Sequence, residues 1–384
     1  MPQPSQRSAV APFLAMEMAR EASALQAQGR SIVRFDVGQP ARGAPQSALD
    51  AARAAVAQGD FPYTDALGLP ALRRKLSAWY RDAQGCSVAP ERIVITTGAS
   101  GAFTLAFLAL FDPGDRLLMA APGYPPYRHI ASALGLSPVI AEATAAERMQ
   151  LQARHVAAAL RDGALAGALI ASPANPTGTM LRDDEVRALA AACADAGAAL
   201  ISDEIYHGLT YAAPARSALT ASDDVVVVNS FSKYWAMTGW RVGWMVVPDR
   251  LIDRIERLSQ NLTICPPTPS QIAACAALDA RDDCEAARAA YARNRGAILE
   301  ALPGLGVSLA APADGAFYML LDISAHSADS LDFCRHALRD AGVALTTGLD
   351  FDEARGARWV RLAYARDAAE VAEGIARLNA WLAR

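Results

Sequence analysis

"RIVITTGASGAFTLAFLALFDPGDRLLMAA", Arg92 to Ala121, holds a strand, a helix and a second strand in succession. "RIVITT" has the β-branched density of a buried strand, and "GAFTLAFLALF" is long and apolar enough for a core helix. "DPGD" stops that helix with turn chemistry, and "RLLMAA" starts the next strand. The rhythm continues outward through helix "YRHIASALG", strand "LAGALIAS", helix "EVRALAAACADAG" and strand "AALISDE", then "VVVVNS" and "VGWMVV". Strands alternating with helices predict an α/β fold with a mostly parallel sheet covered on both faces. Ligands of such sheets gather at the carboxyl ends of the strands. "SPANPTG", "SDEIYHG" and "NSFSK" each follow a strand directly.

Beyond "NLTICPPTPSQ" the pattern changes to an Ala/Arg-rich helical stretch from Ile272 to Leu302, short strands "FYMLLD" and "WVRLAYA", and a last amphipathic helix. This predicts a smaller α+β domain over residues 280–384, a large domain over 46–279, and an N-terminal segment, 1–45, packing with the small domain. No repeat of solenoid period is present.

The 384 residues are 53% hydrophobic and 20% charged, which suits a folded enzyme rather than a disordered chain. A formal net charge of −4 supplies no basic field, so neither nucleic acid nor an anionic membrane is an expected partner. The six cysteines form no C-x-x-C pair, and the expectation is reduced thiols in the cytoplasm. The first residues show no secretory pattern, and no apolar run reaches the length of a membrane span. His129 and His207 fall in no metal-ligand spacing, so no metal is expected, and His207 is read as lying behind the site or on the surface.

Lysine and arginine total 36, yet lysine stands only at Lys75 and Lys233. Arginine supplies charge but cannot lose its proton to become a nucleophile. Lys75, in "LRRKLSAWY", reads as one more cation on a solvated helix face. Lys233 follows a buried strand instead, with Ser230 and Ser232 before it and Arg241 after it. An amine at a strand end, stripped of water, has its pKa lowered and can attack a carbonyl. Two hydroxyls and a guanidinium match the oxygens of a phosphate.

"SFSKYWAMTGWRVG" is similar to the lysine-attachment signature of the fold-type I pyridoxal-phosphate aminotransferases, class I/II, in the bacterial branch of the aspartate/aromatic aminotransferase superfamily. The resemblance runs over nearly the whole chain, with its motifs in family order. It implies a seven-stranded-type sheet and pyridoxal 5'-phosphate bound as an aldimine on Lys233, which later moves the substrate's proton. Ser230, Ser232 and Arg241 become phosphate ligands, joined by Ala99 and Ser100 of "TTGASGAF". Asp203, in "ISDEIYHGL", is implied to face the pyridinium nitrogen, with Tyr206 and Asn175 on the ring's phenolic oxygen. By residue type alone Asp203 is equally an acidic N-cap and Asn175-Pro176 a turn signal. Tyr124 is implied to stack on the ring. Arg361, in "WVRLAYA", is implied to clamp the substrate α-carboxylate, while Gly38 and Asn175 border the substrate. Tyr63 is implied to reach the neighbouring subunit's phosphate, making the protein a homodimer with a shared active site.

The implied reaction is ping-pong transamination between an L-amino acid and a 2-oxo acid, with 2-oxoglutarate or pyruvate as acceptor. Two stretches depart from the family wording: "GQPARGAP" after Gly38, and "TTGLDFD" where the small domain has P-G-x-x-F-G. In some aspartate-preferring relatives a lysine stands at the position of Ser100, so aspartate is not the expected preference. The alternatives are a C–S β-lyase using the same cofactor and a cofactor-sensing transcription regulator. The opening residues leave no room for a DNA-binding domain, and the charge is wrong for DNA. A phosphate-binding NTPase is disfavoured because neither lysine lies in a G-x-x-x-x-G-K-[ST] motif.

Overall fold

A computed structural model of the chain describes residues 3–384. Its centre is a seven-stranded sheet in the order Ile93–Thr96, Gly243–Val246, Val226–Ser230, Ala199–Asp203, Gly167–Ala171, Arg116–Ala121, Ser137–Glu142. Gly243–Val246 runs antiparallel to both neighbours, and the other pairings are parallel. The β-branched runs are continuous because both faces are buried. Val94, Val226 and Val228 feed one core, while Ile93, Ile95 and Val227 feed the core on the opposite face.

Three expectations need correction. The expected succession passes from helix "YRHIASALG" straight to strand "LAGALIAS", yet "SPVIAE", Ser137–Glu142, forms the sheet's outer edge strand, where Pro138 is tolerated. The helical stretch from Ile272 to Leu302 is two helices, Thr268–Ala277 and Arg281–Leu305. Lys75 belongs to that break: its amine donates to the Cys275 carbonyl at 3.0 Å and sits 2.5 Å from the Asp279 carboxylate. It therefore satisfies a carbonyl in the last turn of a helix, a more definite role than a solvated surface charge.

A second, antiparallel sheet orders Thr346–Thr347, Trp359–Ala363, Tyr318–Asp322 and Ser308–Leu309. The N-terminal segment joins this part of the molecule, since Val33–Arg34 pairs in parallel with Val343–Ala344. Helix Leu14–Ala27 comes just before that pairing and lies beside the mouth of the main sheet.

Candidate active site

The carboxyl ends of the parallel strands open onto a cavity of about 280 Å³. Lys233 enters it from the turn after Val226–Ser230. That turn is immobilised from behind. Phe231 and Trp235 pack against Trp244 with ring centroids 5.0 and 5.8 Å away, and the Trp244 indole donates to Tyr80 Oη at 3.0 Å. Lys233 Nζ donates to the Gly38 carbonyl at 2.5 Å. A Cβ on Gly38 would lie 1.8 Å from Tyr318 Oη, so only glycine brings that carbonyl to the amine. Burial, and then the positive charges of Arg361 and Arg241, pull the Lys233 pKa down to about 8, against a smaller opposing pull from Asp203.

Asp203 ends its strand buried, accepting Tyr127 Oη–H at 2.5 Å and the Ile205 N–H at 3.0 Å. Burial raises its pKa to about 6, and those two hydrogen bonds oppose the rise. Tyr206 Oη lies 2.9 Å from Tyr318 Oη, so the two phenols share a hydrogen bond at the cavity edge. Tyr124 lines the cavity, edge-on to Tyr127 at 5.3 Å.

Arg361 is a buried cation among neutral oxygens. Its guanidinium donates to Asn175 Oδ1 at 3.0 Å, the Asp36 carbonyl at 2.5 Å and Thr346 Oγ1 at 3.2 Å. It lies 4.6 Å from the Tyr318 ring centroid and 5.0 Å from that of Phe351, while its buried Nε has no partner. A buried positive charge without a counter-charge is costly. The arrangement is complementary to an incoming carboxylate, which a planar guanidinium binds bidentately.

At the other end, Arg241 lies against Gly98, where a Cβ would come within 2.4 Å of Nη2. Gly98 has φ +74, so glycine serves both the turn and the close approach. Ala99 and Ser100 follow in the first turn of helix Gly98–Leu110, whose amides have no acceptor within the helix. With Ser232 they give hydroxyls, free amides and a guanidinium, a donor set that fits a phosphate dianion. A carbonyl-reactive amine, a buried carboxylate and two phenols complete a set matching pyridoxal phosphate.

Two of the expected ligands lie off the cavity. Ser230 Oγ sits beneath the wall, 2.9 Å from Ser232 Oγ and 3.1 Å from the Val242 carbonyl, so it braces Ser232 rather than facing the cavity. Tyr63 is 80% exposed and is not among the residues that line the cavity. His207 is fully buried, with Nε2 3.1 Å from the Ser172 carbonyl and Nδ1 3.2 Å from Gln84 Oε1, and burial lowers its pKa to about 4. It ties the loop that carries Asn175 to the segment that carries Tyr206. Tyr127 and Tyr318 escaped the sequence reading. Their signal was faint: a second tyrosine in "GYPPYRH", and one phenol in an apolar strand. Phe13 and Met16, on the wall made by helix Leu14–Ala27, carried no signal at all.

The sequence pattern of aminotransferase class I and II matches residues 30–378. The valine–pyruvate aminotransferase of Mycobacterium tuberculosis is 45% identical over 380 residues, covering 98% of this chain and 97% of that protein. A crystal structure of an aminotransferase from Mycobacterium tuberculosis superposes with a TM-score of 0.96 at 44% identity, covering 100% of both chains. Aspartate aminotransferase from Thermus thermophilus with maleate gives 0.92 at 32% identity, covering 99% of this chain and 100% of that one. Fold and family together define a pyridoxal-phosphate-dependent transferase. The chain belongs to the class I and II aminotransferases and moves an amino group between an amino acid and a 2-oxo acid.

Proposed function

We propose that this enzyme transfers the amino group of an L-amino acid with an apolar side chain to pyruvate, working as a cytoplasmic homodimer. When bound, pyridoxal phosphate supplies the aldehyde that joins the amine and the ring that accepts electrons from the Cα–H bond. Arg241, Ser232 and the amides at Ala99 and Ser100 hold its phosphate. Asp203 holds a proton at the ring nitrogen, Tyr124 covers the ring, and Asn175 and Tyr206 bond its phenolic oxygen. Arg361 fixes the substrate carboxylate, so that the Cα–H bond is presented in one orientation. Lys233 Nζ, poised near neutrality, accepts that proton and returns it.

The observation that carries this reading is the pairing of an easily deprotonated Lys233 with a buried Arg361 that lacks an anion, both facing one cavity. Among the described residues, Lys233, Arg241 and Arg361 are the cations lining the cavity. The first two are engaged by the cofactor and the third by the α-carboxylate, which leaves none for a distal carboxylate. The remaining wall of Phe13, Met16, Val37 and Ile130 suits an aliphatic side chain, and one relative is named for valine and pyruvate. We assign residues 46–279 to the cofactor domain and 280–384, with 1–45, to the small domain. Tyr63 stands on an apolar patch with Phe61, Leu262 and Ile264, where Thr268 Oγ1 donates to the Pro62 carbonyl at 2.9 Å and joins the two loops. A second copy covering this patch brings the partner's Tyr63 to the phosphate end. No helix among the described residues is long and apolar enough to cross a membrane.

Amino donors assayed with pyruvate and with 2-oxoglutarate, followed by the half-reaction absorbance change, test this reading. Valine-like donors with pyruvate should lead. Release of pyruvate and ammonia from cystathionine without an acceptor would instead establish the C–S lyase.

A further inference from the structure

Helix Leu14–Ala27 begins without a cap of its own. Phe13 occupies the N-cap position and offers no side-chain acceptor for the first amides. The missing acceptor comes from the far end of the chain. Asp350 Oδ1 accepts the Leu14 N–H at 2.9 Å and Oδ2 accepts the Ala15 N–H at 2.6 Å, across sequence separations of 336 and 335. Both carboxylate oxygens are spent on this one helix start, and Asp350 is buried.

The turn that carries Asp350 is fixed on its other side. Thr347 Oγ1 accepts the Leu349 N–H at 3.2 Å, Arg128 donates to the Asp350 carbonyl at 2.8 Å, and Gly123 N–H donates to the Phe351 carbonyl at 2.9 Å. Asp350 is thus a rigid post and the helix start is what hangs from it. Later turns have separate anchors, because Arg34 reaches Ser23 Oγ at 3.1 Å and Arg339 reaches Glu21 at 2.8 Å. The first turn has the Asp350 cap, the burial of Ala15 and the edge contact of Phe13 with Tyr124, 6.3 Å between centroids. Phe13 and Met16, which belong to this turn, form the N-terminal part of the cavity's apolar wall.

We propose that Asp350 is a positioning residue that sets donor selectivity: by capping the first turn of helix Leu14–Ala27 it holds Phe13 and Met16 where a substrate side chain ends. The proposal rests on the reading of the cavity as an apolar-donor site. It accounts for an aspartate inside the departing stretch "TTGLDFD".

The test uses the holoenzyme carrying Asp350→Ala and, as the conservative change, Asp350→Asn, which keeps one carbonyl acceptor. Asp350→Ala should raise KM for valine or leucine about ten-fold, in keeping with loss of a helix cap, and leave KM for glycine or alanine within about two-fold. kcat and the bound-cofactor absorbance should hold, and amide exchange at Leu14 and Ala15 should accelerate. Asp350→Asn should fall between wild type and Asp350→Ala on both readouts. A KM rise shared equally by small and large donors overturns the proposal, because Asp350 would then act through Phe351 and Arg361. Unchanged exchange at Leu14 and Ala15 also overturns it. Wild-type enzyme that transaminates no apolar donor defeats the donor assignment instead, and the exchange measurement still reports on the cap.

Discussion

The floor of the cavity and its N-terminal wall differ in how far their parts lie apart along the chain. Asp203 ends one strand, and Lys233 and Asn175 follow the strands on either side of it; the three strands run parallel, so their pairing brings the three side chains together. The wall is assembled from a helix near one terminus and an aspartate near the other, joined by two hydrogen bonds. A floor built on a sheet with both faces buried is stiff, whereas a wall hung on one capped turn is the adjustable part. The same cofactor chemistry can therefore serve different side chains by changing the wall alone.

The largest blow to the floor is Lys233→Ala. Activity should fall on the order of 10⁴-fold, the upper range for removing a proton-transfer group. Borohydride reduction of the wild-type holoenzyme followed by peptide mapping should label Lys233, and a label on Lys75 would break the whole assignment. Next comes Arg361→Leu, which removes charge-assisted bonds to the carboxylate. It should lower kcat/KM for donor and acceptor alike by on the order of 10²-fold. A loss confined to one partner of the reaction would place the carboxylate elsewhere.

The wall should respond selectively. Phe13→Ala is expected to raise KM for valine and leucine about ten-fold while sparing alanine, since apolar pocket contacts are worth roughly 1–3 kcal/mol. Measured against a donor series, an equal rise for every donor would erase the distinction between floor and wall.

The smallest effect is a shift on the pH axis. With its pKa lowered to about 8, the Lys233 amine of cofactor-free protein should react with an aldehyde reagent along a curve centred near pH 8. Arg361→Leu should move that midpoint upward, because one of the cations that disfavours protonation is gone. A midpoint near the ordinary lysine value would contradict the burial argument. The stability sign follows from the same shift. The unfolded chain binds more protons between about 8 and the ordinary value of 10.5, so stability rises with pH across that window. Lys233→Met should accordingly stabilise the cofactor-free protein at neutral pH, with the advantage shrinking toward pH 10, as read by urea denaturation.

Local chemistry made the floor legible. A lysine in a chain that otherwise uses arginine, apart from Lys75, set after four valines and two serines, signals an amine kept for its reactivity, and "SDEIY" and "SPANP" stand at comparable strand ends. The residues from Arg92 onward also determined the alternating architecture, because β-branched runs and apolar helices have no other stable way to bury both faces of a sheet. Tertiary structure alone decided that Ser230 lies under Ser232, that His207 is buried beneath the Asn175 loop, and that Asp350 caps a helix 336 residues earlier. Those contacts join residues whose neighbours in sequence say nothing of one another. Periodicity and motif report what a segment buries, whereas the partner it buries against is set only when distant segments pack.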